Sequence, residues 1–403
     1  MKLNRFNRLG RALLFGLLTG VALPGFLRAA NAQSSSVMTN QLPHALPRRP
    51  SIVLIVADGL GYGDLSCYGQ GKFQTPNLDR LAAEGIRFTN YFAGAAASSP
   101  AWAALLLGRD ADHLRQRADV DIPLAPGEIT VAQLLKQSGY HTGLIGEWDL
   151  GDDTSGGAPW KKGFDEFAGY FDPHDATNYY ADYMWRFAPG AELTTNNLRA
   201  DYVGREMLYP NTGGNRGEYI PDLLTKAALS FVKNNQPDRF NFYRPFFLLL
   251  NYPIPAAGNG PVLTDAPYSE EPWPQPQKNK AAMISRLDAY VGQLREQLQS
   301  IGLTNDVVIF FTSDTGSRKS GGVDPNFFHS MISSNSLRVP FIVHWPENIP
   351  PGQVSGYACT ASDFLPTASD IARIKTPAEI DGRSVLPTLS GRTQTTQHNF
   401  SRK

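Results

Sequence analysis

The 403 residues are 42% hydrophobic and 18% charged, enough apolar material for one large core or two modest ones, which excludes a disordered chain. The 37 basic and 37 acidic residues cancel overall, but residues 1–32 hold five of the basic ones and no acid. The body is therefore slightly acidic and lacks the basic face that a nucleic-acid partner requires.

The first feature in chain order is an export signal. Lys2, Arg5, Arg8 and Arg11 precede an apolar run from Ala12 to Leu27, Arg28 follows it, and Ala30, Asn31 and Ala32 offer small residues for cleavage before Gln33. Residues 1–32 are expected to be a signal peptide and 33–50 a flexible leader. Residues 51–390 are expected to form the folded domain, with 391–403 as a short tail. Pro24 and Arg28 interrupt the apolar run, so a retained membrane anchor over 12–27 is the weaker alternative. No other stretch reaches about 18 apolar residues. The mature chain is expected in the periplasm or outside the cell, with no stable membrane span.

Ser51 to Ala57 is a β-branched run without polar alternation, the pattern of a strand buried on both faces of a parallel sheet. It ends at Asp58, the first acidic residue of the chain, before the turn Gly59 to Gly63. Thr75 and Pro76 open a helix with Leu78, Leu81 and Ala82 on one face, and Gly85 stops it. Ser98 or Ser99 before Pro100 reads as a helix cap. Thr130 caps a further helix that Gly139 closes. Strands are expected over His141 to Trp148, Pro245 to Tyr252, Val307 to Thr312 and Phe341 to His344. The longest helix runs from about Asn279 to Ser300, with Met283, Leu287, Val291, Leu294 and Leu298 at three- and four-residue steps. Residues 157–276 are rich in aromatics, Asn, Pro and Gly and are otherwise expected to be long excursions from the sheet.

This order predicts an α/β fold: a large, mainly parallel or mixed sheet with helices on both faces. Ligands bind such sheets at the carboxyl ends of strands, where Asp58 and Asp314 both fall before glycine-containing turns. The two carboxylates are expected to share a cation site. Two cysteines, Cys67 and Cys359, exclude a disulfide-rich scaffold, an all-cysteine zinc site and a CxxC motif, and whether they pair stays open.

Ile52 to Gly69 followed by Thr75 to Asn90 resembles the start of a type I sulfatase, of the alkaline-phosphatase superfamily. The resemblance continues in family order through Ser98 to Arg109, Gly139 to Gly151, Phe310 to Gly316, Gly321 to Phe328, Arg338 to Pro346, Asp363 to Thr367 and Ile380 to Leu389. It implies hydrolysis of a sulfate ester by a formylglycine made from Cys or Ser in a C/S-x-P-x-R motif. It also implies a calcium or similar divalent cation held by an early Asp-Asp and a late Asp-Asn pair, cationic side chains on the sulfate, and histidines that move protons.

By that resemblance Ser98 holds the formylglycine position, with Pro100 in place but Trp102 where the arginine belongs. Asp58 and Asp314 match metal ligands, while Gly59 and Thr315 replace their partners; Thr315 is a candidate residual ligand. Glu147 stands for a lysine and Asp149 for a histidine. Two histidines near Asp175 and Thr177 are lost, with His174 as a candidate substitute, and Pro255-Ala256 replaces a Pro-His pair. Lys319 matches an anion-binding lysine, and Arg318 occupies a histidine-like place. Glu147 and Asp149 read first as solvated loop charges, Trp102 as packing, and His141, His329 and His344 as structural. The family also continues beyond Leu389 into a smaller C-terminal subdomain, which is expected to be largely missing here, leaving a face for a partner protein.

The expected protein is an exported sulfatase-family member whose centre is impaired or inactive, with at most a weak Ca²⁺ site. Three alternatives stay open: an arylsulfatase or carbohydrate sulfatase that uses converted Ser98, a non-catalytic glycan- or protein-binding module, and a redirected hydrolase using Glu147 and Asp149 as a carboxylate pair. The expected ligands are a sulfated glycan or an aryl sulfate.

Overall fold

The computed structural model describes residues 48–116, 122–193, 199–236, 244–256, 262–316 and 337–394. The expected signal peptide and most of the expected leader fall outside the described residues, as do Arg318, Lys319 and His329. The first third of the chain forms β1 (Ser51–Ala57), α1 (Pro76–Ala83), β2 (Ile86–Phe88), β3 (Tyr91–Phe92), α2 (Ser98–Leu107), α3 (Val131–Gln137) and β4 (His141–Glu147). The middle adds β5 (Glu166–Tyr170), α4 (Pro173–Ala176), β6 (Tyr183–Leu193), β7 (Arg199–Met207), α5 (Ile220–Asn234) and β8 (Phe246–Tyr252). The last third forms α6 (Gln275–Ser300), β9 (Val307–Ser313), β10 (Phe341–His344), β11 (Gln353–Ser355), β12 (Cys359–Thr360), α7 (Phe364–Ala372) and α8 (Leu386–Leu389).

Ten strands make one sheet in the order β11-β2-β10-β9-β1-β8-β4-β5-β6-β7, and β12 pairs with β3 apart from it. The centre is parallel, from β9 through β1, β8 and β4 to β5. β10 runs antiparallel between β9 and β2, and β6 and β7 form an antiparallel hairpin beyond β5. The sheet is thus mixed, with a parallel core. The expectation of loops over 157–276 is corrected here: β5 adds a buried parallel strand beside β4, and β6 and β7 extend the sheet beyond it as an antiparallel hairpin that mixes polar and apolar residues.

The unbroken apolar runs serve both faces at once. Val53, Ile55 and Ala57 of β1 meet Leu78 and Leu81 of α1, Leu224 of α5 and Leu287 and Val291 of α6 in one core layer. Ile52, Leu54 and Val56 meet Trp102 and Leu106 of α2, Val131 and Leu135 of α3 and Leu365 of α7 in the other. Each fully buried Leu or Ile contributes about 1.5–3 kcal/mol relative to exposure, which fixes the strand register without polar help. α2 is apolar all round and buried all round after its first two residues.

One local expectation changes. Thr75 holds the N-cap position of α1, with Pro76 after it, but its side chain makes no cap bond; its hydroxyl donates to the Asp79 carboxylate at 3.0 Å and also bonds Ser66. Thr130 does cap α3, in a reciprocal box with Gln133. Cys67 and Cys359 are both free thiols, half-buried and buried respectively.

Candidate functional site

The parallel strands deliver four segments to one end of the sheet. Ala57 of β1 lies opposite Ser313 of β9, so Asp58 and Asp314 leave adjacent strands side by side. The sequence places them far apart; the register brings them together. The two loops are stitched by backbone amides. Asp314 N–H donates to the Ala57 carbonyl at 3.0 Å, Leu60 N–H to Ser313 Oγ at 2.9 Å, and Gly59 N–H to Asp314 Oδ1 at 3.0 Å. Gly59 has φ +70°, a left-handed conformation that glycine adopts without steric cost.

Ser98 does not cap α2. Ala97 holds the cap position, and Ser98 is the first residue of the helix. Its hydroxyl donates to Asp314 Oδ2, while Ser99 Oγ donates to the Asp149 carbonyl at 3.3 Å. The cap reading is corrected by tertiary contact: these hydroxyls donate to acceptors at the strand ends, a carboxylate and a carbonyl, and neither accepts from a helix N–H as a cap would. The remaining oxygen of the carboxylate is covered as well. Asp314 Oδ1 accepts from Gly59 N–H, from Thr315 N–H at 2.5 Å and from the Thr315 hydroxyl at 3.2 Å. Asp314 is 5% exposed and Thr315 1%.

Glu147 is the last residue of β4 and 2% exposed, so it is not a solvated loop charge as its sequence suggested. Gly146 before it has φ +121° and lies against the Asn251 backbone, where a Cβ would come within 1.7 Å of the carbonyl oxygen. Asn251 Nδ2 donates to the Glu147 carbonyl at 2.9 Å. Trp148 N–H and Asp149 N–H then bond Tyr170 and Phe171 carbonyls at 2.9 and 3.1 Å, extending the ladder past the strand. Asp149 is half-buried with φ +56°.

Tyr179 was missed by sequence reasoning. Its hydroxyl donates to the Pro253 carbonyl at 2.8 Å, and burial, followed by the nearby Tyr219, Asp58 and Glu147, holds its pKa well above the usual phenol value. The phenol therefore stays protonated. Trp102 is 2% exposed and packs in the core layer behind α2, as expected. His174 is exposed on the short α4. His141 is a structural residue bonded to Glu166 at 2.7 Å, and His344 is buried beside Glu84. Arg318 and Lys319 follow Asp314 by four and five positions but fall outside the described residues.

The implied divalent cation can be tested against this donor set. A hard cation takes six to eight oxygens, several of them charged. The strand ends offer Asp58 and Asp314, and four donors already occupy the roughly four lone-pair sites of Asp314. Among the described residues no group of three or more His, Cys, Asp or Glu is placed to hold a metal ion. The described residues do not fit the ion.

Comparison with known proteins places these features. A sulfatase family model matches residues 50–374. Arylsulfatase A of Homo sapiens is 31% identical over 360 residues, covering 86% of this chain and 69% of that protein. N-acetylgalactosamine-6-sulfatase of Canis lupus familiaris is 29% identical over 371 residues, covering 86% of this chain and 67% of that protein. The crystal structure of Ps i-CgsB in complex with k-i-k-neocarrahexaose superposes with a TM-score of 0.67 at 26% identity, covering 85% of this chain and 76% of that one.

Proposed function

The chain belongs to the sulfatase family, and on that premise we propose that it is an exported family member in which hydrolysis of sulfate esters is impaired. The observation that carries this reading is the buried Glu147 at the end of β4, where the family resemblance calls for a lysine. Asp149 two residues on replaces a histidine in the same way. At about 4 Å and an effective dielectric near 20, each charge contact with a sulfate is worth roughly 4 kcal/mol, here with the repulsive sign. Each absent general acid costs a further factor of about 10²–10⁴ in rate. The N-acetylgalactosamine-6-sulfatase relative and the neocarrahexaose-bound structure support a sulfated sugar as the ligand class. Residues 1–32 direct export in this reading, and residues 51–390 form the binding domain.

One observation favours a second reading, turnover by Ser98 converted to formylglycine: Ser98 sits at the head of α2 against Asp314. Assay of the purified chain with a chromogenic aryl sulfate and calcium separates the two. The expected result is no turnover above a Ser98→Ala control. Turnover that Ser98→Ala abolishes would establish the second reading instead.

A further inference from the structure

We propose that Ser98, Gly59 and Thr315 perform at this centre the structural task of a divalent cation: they solvate Asp314 and join the ends of β1, α2 and β9, so that the centre is built without a bound ion. The inference goes beyond the catalytic reading, since it concerns stability in the absence of any substrate.

Three observations converge on it. The Asp314 carboxylate accepts from donors on three separate segments: Gly59 N–H after β1, the Ser98 hydroxyl at the start of α2, and Thr315 after β9. The two positions at which the resemblance expects further ligands, 59 and 315, are the ones that supply these donors. Gly59 turns its amide toward Asp314 from a left-handed backbone, and Thr315 presents both its amide and its hydroxyl. An aspartate at 59 or an asparagine carbonyl at 315 would bring another acceptor toward the carboxylate, which suits an ion between them and not a direct contact.

Ser98 links this network to a second element. As the first residue of α2 it brings a buried carboxylate to the helix N-terminus, where the exposed amide dipoles favour negative charge. Ser313 reinforces the same junction: its hydroxyl accepts from Leu60 N–H and donates to the Ala57 carbonyl at 2.8 Å. The β1–β9 junction is thus closed by hydrogen bonds that need no metal.

The test is thermal unfolding of the full chain in calcium, in magnesium and in EDTA, with no substrate present. The expected outcome is one melting temperature in all three. Ser98→Ala should melt several degrees lower, by the same amount with calcium and with EDTA, and Ser98→Thr, which keeps the hydroxyl, should recover most of the loss. A calcium-dependent rise of several degrees in the natural chain would overturn the proposal, as would a Ser98→Ala variant as stable as the natural chain. Failure here is distinct from failure of the catalytic reading, which is scored by turnover alone.

Discussion

Ser98 and Asp314 lie 216 positions apart in the chain and are joined by a hydrogen bond from hydroxyl to carboxylate between the head of α2 and the end of β9. The serine that the family motif would modify is therefore a donor held in a half-buried polar junction, and the motif arginine position is filled by the core residue Trp102.

From this follows an expectation about modification. Mass spectrometry of the peptide containing Ser98, from protein produced in its native host, should show unmodified serine. A formylglycine mass at that position would contradict the impaired-centre reading.

The buried pair Lys280 and Asp64 offers a stability test. Lys280 Nζ lies 2.8 Å from Asp64 Oδ2, with both side chains almost fully buried, and the same oxygen accepts from Gly61 N–H at 2.8 Å. Lys280→Met strands the carboxylate and should cost about 3–5 kcal/mol. Adding Asp64→Asn removes the charge, keeps the acceptor for Gly61, and should recover most of that loss. Urea unfolding of Lys280→Met, Asp64→Asn and the double variant checks it; additive losses would show that the two groups are not coupled.

His344 sets a pH dependence. Burial, and then the guanidinium of Arg295, push its pKa from 6.5 down to about 4, against the pull of Glu84 at 3.6 Å. The unfolded chain takes up a proton below about 6.5 that the folded chain refuses until about 4. Stability should be full above the upper value and fall by up to about 3 kcal/mol as the pH drops through this window. For Glu84, burial works against its charge, but its bonds to Arg80 and its pairing with Arg295 win and hold its pKa low, so its own loss comes at more acid pH. His344→Phe should flatten the upper window. An NMR titration of His344 centred near neutral pH would refute this.

Gly146 is expected to be intolerant of any side chain. A Cβ there would lie 1.7 Å from the Asn251 carbonyl oxygen at a φ of +121°. Gly146→Ala should therefore cost about 3 kcal/mol or more and shift Glu147. Gly71→Ala, where a Cβ meets nothing within 4 Å, is the matched control and should stay within about 0.5 kcal/mol of the natural chain.

The parallel core was legible because its strands are doubly buried. Ser51 to Ala57, Phe246 to Tyr252 and Val307 to Ser313 carry unbroken apolar runs, and α6 keeps its helical period over most of its length. β6 and β7 were not legible, because a half-exposed hairpin mixes Arg, Glu, Gly and Tyr in a way that composition alone reads as loop. The adjacency of Asp58 and Asp314 could be anticipated from strand ends. The burial of Glu147 could not, since it depends on β5 and β8 flanking β4. Nor could the role of the Ser98 hydroxyl, which a local cap pattern explains equally well until β9 is in place.

β7 is the outermost described strand on its side of the sheet, and along it Val203 and Met207 stand 42% and 46% exposed on either side of Arg205. Such a border leaves a row of peptide groups available to any extended chain, with greasy side chains to hold it once paired. Concentrated preparations of this protein should begin to clump there, and a lysine in place of Val203 is the simplest way to keep them dispersed.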